Sequence, residues 1–270
     1  MSESATPRKV RTHTLRDFKR EGRPITMLTS YDTFSARIFD EAGIDVLLVG
    51  DSAGNTVLGY DSTVYTKHED IVRFTGAVAR SCTRPLVLAD LAFGTYQASV
   101  EDAVRHGVEL MQAGAHAVKL EGGREILPQV EALVNAGIPV CGHVGFTPQS
   151  VNQLGGFKVQ GRGDGADALL ADAVALEEAG AFAVVLELVP APLATRVSET
   201  LEVPTIGIGA GAGCDGQVLV WQDMAGLSGF EPRFVKAFAD LRSELSRAAR
   251  EYADAVRAKS FPAPEHTFEQ

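Results

Sequence analysis

Eight short apolar runs, separated from one another by helical patterns, recur along almost the whole chain and leave few folds open to it. They are Ile25–Thr29, Val46–Asp51, Leu86–Leu91, Ala117–Glu121, Val140–Val144, Ala183–Leu188, Thr205–Gly209 and Gln217–Trp221. Each is apolar on consecutive residues, as strands covered on both faces are, and regular alternation of such strands with helices specifies a parallel sheet. The punctuation supports the count. Pro24, Pro85, Pro139 and Pro204 stand at the entrances of the first, third, fifth and seventh runs, where a missing N–H is tolerated because the ladder has not begun. Glu41-Ala42-Gly43, Gln112-Ala113-Gly114, Asn135-Ala136-Gly137 and Glu178-Ala179-Gly180 each put a glycine where a helix needs a left-handed cap, just before the second, fourth, fifth and sixth runs. Eight units in 270 residues match one closed (β/α)8 TIM barrel better than an open doubly wound sheet, which is more often complete in five or six strands.

The remaining segments are assigned around that frame. Ser99 with Asp102 three residues on resembles a capping box, and Val100, Val104, Val108 and Met111 then form one apolar stripe. Leu15–Glu21 reads as a short helix closing the barrel floor, and Glu231–Lys259 as a long final helix. The domain expectation is a flexible N-terminal segment over 1–13, a barrel with its N-terminal capping helix and C-terminal helix over 14–259, and a polar tail over 260–270. Gly145 to Gly165 is irregular and carries six glycines; so long a loop in a compact domain is usually functional or disordered.

A net charge of −10 and a pI near 5.1 argue against a general nucleic-acid or anionic-membrane surface, either of which favours a basic stripe. Apolar runs such as Val46-Leu47-Leu48-Val49 fall far short of the roughly 20 residues that span a bilayer. The polar stretch through Pro7, Arg8 and Lys9 has no apolar segment behind it, so no secretory signal is readable and the cytoplasm is expected. Cys82, Cys141 and Cys214, an odd count without C-x-x-C spacing, read as reduced thiols.

In a barrel the chemistry lies at the carboxyl ends of the strands, and here those ends are acidic. Asp51, Asp90 and Glu121 end three neighbouring runs, and Glu187 ends the sixth. Buried charge of that kind needs a metal, a cation or hydrogen bonds. Three oxygen donors without histidine or cysteine among them favour magnesium over zinc; the plainer reading makes them helix caps or lysine partners. Lys119, two residues before Glu121, shares its strand face and would bind an anion or neutralise the carboxylates, with a Schiff-base role as the alternative. Glu187, across the mouth, is placed to take a proton. His143 would donate a hydrogen bond to substrate or serve as a satisfied core histidine, and the glycines from Gly207 to Gly213 resemble a phosphate cradle or simply let a ligand near the backbone.

Gly50-Asp51-Ser52, Ala89-Asp90-Leu91, Lys119-Leu120-Glu121-Gly122-Gly123, Gly142-His143-Val144-Gly145-Phe146-Thr147-Pro148-Gln149 and Gly207-Ile208-Gly209-Ala210-Gly211, in that order, resemble the ketopantoate hydroxymethyltransferase family from about Thr14 to Phe238. The resemblance implies a barrel of the phosphoenolpyruvate/pyruvate type that uses Mg2+ and takes a hydroxymethyl group from 5,10-methylenetetrahydrofolate to 3-methyl-2-oxobutanoate, the first step of pantothenate synthesis. It implies Asp51 and Asp90 as direct metal ligands and Glu121 as a third, direct or through water. It further implies Ser52 and Lys119 as binders of the keto acid, Glu187 as catalytic base, and a decamer of two stacked pentameric rings. With Asp51, Asp90 and, from its place at the strand end, His143, Ser52 and Lys119 make the expected substrate-binding set. The alternatives are a related barrel that makes or breaks C–C bonds on another 2-oxo acid, and a barrel that only binds a ligand or builds an assembly.

Overall fold

In a computed structural model that describes residues 8–268, the eight runs form β1 (Ile25–Thr29), β2 (Val46–Val49), β3 (Leu86–Asp90), β4 (Ala117–Lys119), β5 (Val140–Gly145), β6 (Ala183–Glu187), β7 (Thr205–Ile208) and β8 (Gly216–Leu219). Each strand pairs in parallel with the next, and β8 closes on β1 with Gly216 opposite Ile25, so the sheet is a closed barrel. All four glycines expected after helices have positive φ, between 81° and 113°. Ser99 caps the helix Val100–Ala113 by accepting from the Asp102 N–H.

Six strands stop one or two residues short of their apolar runs, and at β2 and β4 the cause is local. Asp51 and Glu121 lie beyond β2 and β4 because their N–H groups bond side chains instead of the ladder: Asp51 donates to Asp90 Oδ2 at 3.0 Å, and Glu121 to the Tyr96 hydroxyl at 3.2 Å.

Alternate strand residues make the interior, as a period of two requires. Ile25 and Met27, Val46 and Leu48, Leu86 and Leu88, Ala117, Cys141, Ala183 and Val185, Ile206 and Val218 belong to one buried cluster. Val10, Leu15 and Phe18 join the same cluster. The last two come from the helix Thr12–Arg20, which starts three residues before the expected Leu15 and plugs the barrel floor. Lys19 fastens that helix, donating to the carbonyls of Ser198 and Val203 and to Asp215 Oδ2 at 2.7–3.0 Å. Of the N-terminal segment read as flexible, 1–7 lie outside the described residues, as do the last two positions of the tail.

From Trp221 the chain forms a second compact unit. Its main helix is Leu241–Arg257, ten residues shorter at its start than Glu231–Lys259. The reason is visible in the backbone: Phe238 and Leu241 donate to the carbonyls of Met224 and Ala225, and Asp240 caps the helix by accepting from Ser243. No helix among the described residues is long and apolar enough to cross a membrane.

At the entrance of β4, His116 makes a reciprocal pair with Val87. Its N–H donates to the Val87 carbonyl at 2.8 Å, and its Nδ1 accepts from the Val87 N–H at 2.9 Å. An accepting Nδ1 must be unprotonated, and burial, with Lys9 and Arg11 nearby, lowers this histidine from 6.5 to about 4. As pH falls from about 6.5 toward 4 the unfolded chain binds a proton there that the folded chain refuses, so stability is lost over that window. In His116→Gln the thermal midpoint is expected to fall less steeply between pH 6.5 and 4 than in the parent; equal slopes by scanning calorimetry would refute this.

Candidate active site

Continuing each apolar stripe one step toward the carboxyl end reaches a polar residue. Leu86 and Leu88 are followed on the same face by Asp90, Ala117 by Lys119, Cys141 by His143, and Ala183 and Val185 by Glu187. The turns after β2 and β4 add Asp51 and Glu121. Asp51, Asp90, Lys119, Glu121 and His143 are all buried, and the Glu187 side chain is 13% exposed.

The contacts run through the two bases. Lys119 Nζ lies 3.2 Å from Asp90 Oδ1, 3.8 Å from Glu121 Oε1 and 3.3 Å from His143 Nδ1. His143 Nδ1 is 3.5 Å from Glu121 Oε1, and its Nε2 is 3.3 Å from Glu187 Oε2. The last contact is an ion pair without good hydrogen-bond alignment, since Nε2 has no aligned partner. Of the sequence-derived candidates, six therefore form one chain of contacts. Ser52 stands beside it, bonded to the Tyr31 hydroxyl at 2.7 Å.

The charges explain how such a cluster is tolerated. Burial, then the charges of Asp90 and Glu121, raise the Asp51 carboxyl well above its usual range, and burial also raises Asp90. Burial opposes the Glu121 charge too, but His143, Lys119 and the Gln149 N–H hold its pKa below the ordinary value. Lys119 pays the same desolvation, yet Asp90, Glu121 and Asp51 outweigh it and keep the ammonium protonated. A protonated amine is no nucleophile, which disfavours the Schiff-base alternative. Burial and Lys119 oppose a charge on His143, but Glu121 and Glu187 push its pKa up to about 9.

Four carboxyl groups against two bases leave the acids in excess in this cluster. Among the described residues no three His, Cys, Asp or Glu side chains already stand as a ligand set, and Lys119 lies between the acids instead. The donors nevertheless fit a hard divalent cation: all are carboxyl oxygens, the acids outnumber the bases, and Asp90 Oδ1 has no aligned hydrogen-bond donor.

Three residues at the site were not singled out from the sequence. Tyr96 and Gln97, after β3, and Gln149, in the 3-10 turn Pro148–Ser150 after β5, bond one another and the carboxylates. All lie in loops, where no periodicity marks them. Two of the glycines in 207–213 have a packing reason of their own. A Cβ on Gly211 would stand 2.5 Å from Ala191 Cβ, and one on Gly213 would collide with Thr195, so both glycines let the turn approach the helix Ala191–Thr200.

A parallel (β/α)8 barrel with its polar side chains gathered at the carboxyl ends of the strands is the arrangement of TIM-barrel enzymes, and solved structures share this backbone. A phosphonopyruvate hydrolase in complex with oxalate and Mg++ superposes with a TM-score of 0.62 over 95% of this chain and 93% of its own, at 13% identity. A phosphoenolpyruvate phosphomutase from Streptomyces platensis subsp. rosaceus gives 0.63 over 94% and 92%, at 15% identity. At these identities the likeness shows the barrel and nothing finer. The chain belongs to the ketopantoate hydroxymethyltransferase family, whose sequence model matches residues 9–264. A 3-methyl-2-oxobutanoate hydroxymethyltransferase of Saccharopolyspora erythraea is 60% identical over 264 residues, covering 97% of this chain and 90% of the relative.

Lys119→Met keeps most of the side chain's volume and removes the cation from among three buried acids. Stability at pH 7 is expected to fall by about 3–5 kcal/mol, the usual cost of stripping one partner from a buried ion pair, and by less at pH 5, where the carboxyls can take up protons. Urea unfolding at the two pH values tests it; an equal loss at both would contradict the charge-compensation account.

Proposed function

We propose that this chain transfers a hydroxymethyl group from 5,10-methylenetetrahydrofolate to 3-methyl-2-oxobutanoate, with uptake of water and release of 2-dehydropantoate and tetrahydrofolate, as the first step of pantothenate biosynthesis. Family membership supports the reaction. The observation that carries the site assignment is the single buried cluster of Asp51, Asp90, Lys119, Glu121, His143 and Glu187.

Asp51 and Asp90 are the proposed direct ligands of Mg2+, with Glu121 completing the acidic set. When bound, the cation would supply positive charge to the keto oxygen and so acidify the adjacent C3–H. Lys119, held protonated by its neighbours, offers an ammonium to the substrate carboxylate, and Ser52 offers a hydroxyl whose other partner is Tyr31. Glu187 takes the C3 proton. Its contact with His143 orients the carboxylate, and His143 in turn leans on Glu121, so the base and the acidic cluster are mechanically connected. Phe146 donates to the Glu187 carbonyl at 2.8 Å, which joins the base to the start of the loop that would exclude water from the pocket.

The proposal extends to a cytoplasmic location and a decameric assembly. Phe34 and Ile38, one turn apart on the helix Thr33–Glu41, are 75% and 59% exposed and offer apolar surface for contacts between copies. Light scattering reads the assembly directly, and a monomeric mass would refute it.

Chelation is expected to abolish turnover and Mg2+ to restore it; full activity in metal-free protein would sink the metal assignment. Glu187→Gln keeps the shape of the base but cannot accept the proton. Keto-acid affinity is expected to stay within a few-fold while turnover falls by roughly 10²–10⁴, with deuterium exchange at C3 falling in parallel. Proton NMR in deuterated water follows that exchange. Exchange at the parent rate without product would assign the base elsewhere.

A further inference from the structure

Gln149 is a buried residue of the loop after β5, and every polar group it offers toward the cluster is used. Its backbone N–H donates to Glu121 Oε2 at 2.9 Å. Its side-chain Nε2 donates to Asp51 Oδ2 at 2.8 Å and to the Leu91 carbonyl at 3.0 Å. Its Oε1 accepts from the Tyr96 hydroxyl at 2.7 Å and from Gln97 Nε2 at 3.1 Å. One residue thus touches two of the three mouth carboxylates, each on one oxygen.

The direction of this network follows from its ends. A carboxylate oxygen and a peptide carbonyl can only accept, so the nitrogen of the Gln149 amide must face Asp51 and Leu91. At the other end the Gly94 N–H donates to Gln97 Oε1 at 2.7 Å, which turns the Gln97 nitrogen toward Gln149. Gly94, Gln97 and Gln149 therefore donate in one direction toward Asp51, and the Tyr96 hydroxyl shares its proton between Gln149 Oε1 at 2.7 Å and the Glu121 carbonyl at 2.9 Å. Rotating the Gln149 amide by half a turn would set its oxygen against Asp51 and the Leu91 carbonyl and its nitrogen against the Gln97 donor. That leaves one orientation. With Oδ2 of Asp51 and Oε2 of Glu121 taken, Oδ1 and Oε1 remain for other partners, and Oε1 is the atom that faces Lys119 and His143.

We infer that Gln149 is a positioning residue for the cation site: its side-chain N–H occupies one oxygen of Asp51 and leaves the other for a divalent cation, its backbone N–H fixes the Glu121 carboxylate through Oε2, and the side-chain amide depends on Gln97 for the orientation in which it does so. The inference rests on the reading of Asp51 and Glu121 as metal-holding groups. Partners of this kind around metal ligands typically contribute 10–100-fold to metal affinity, because they fix the ligand's orientation before the ion arrives.

The test is a titration of the full-length protein with Mn2+, following the free ion by electron paramagnetic resonance, so that no turnover is needed. Gln149→Met removes the donor to Asp51 and keeps the length of the side chain. It is expected to bind Mn2+ about 10–100-fold more weakly than the parent. Gln97→Met leaves every contact of Asp51 in place and frees the amide to turn; it is expected to weaken binding several-fold and, should Gln149→Met not fold, to carry the test alone. Because Gln97 acts through Gln149, the double variant is expected to bind no more weakly than Gln149→Met. Parent-like Mn2+ affinity in both single variants, with only the thermal midpoint lowered, would overturn the inference and leave Gln149 a structural residue. A double variant weakened by the product of the two single effects would overturn the dependence of Gln149 on Gln97. A parent protein that fails to bind Mn2+ would instead remove the metal reading itself, which separates the two failures.

Discussion

The excess of buried acids over bases at the top of the barrel is the constraint to which the surrounding structure answers. Each mouth carboxylate is taken from water by the closed sheet, and none could remain ionised there without partners. Lys119 therefore sits between Asp90 and Glu121, His143 bridges Glu121 to Glu187, and the loop after β5 lends the N–H groups of Gln149. Even so the acids outnumber the bases. Chemistry that needs a cation or a proton acceptor and structure that needs its charges balanced are met by the same side chains.

Much of this was legible because a strand has a period of two. Asp90, Lys119, His143 and Glu187 continue stripes of buried aliphatic residues, so a strand assignment alone predicts that they face the interior. Asp51 and Glu121 were legible for the weaker reason that they follow the runs; that they leave the ladder became clear only from the side chains that capture their N–H groups.

What was not legible depends on paths through irregular backbone. Gln149 closes the motif that begins at Gly142, but no periodicity gives it a direction, and it meets Asp51 because a 3-10 turn brings it over that residue, 98 positions earlier in the chain. The glycines of 207–213 have the composition of a ligand cradle, yet those at 211 and 213 are explained by contact with a neighbouring helix. The final helix begins late for a similar reason: the carbonyls of Met224 and Ala225 compete for the N–H groups that would have extended it toward Glu231.

The plug formed by Leu15 and Phe18 has a consequence for traffic. With the floor sealed and the middle of the barrel filled by aliphatic layers, the interior behaves as a blind well rather than a channel. Water, ions and organic acids reach the polar layer from one end and leave by the same end. Occupants of a blind well are stacked: the deepest arrives first and departs last. A group held at the polar layer can therefore exchange with solvent only past whatever covers that one end, without any moving part at the bottom of the barrel.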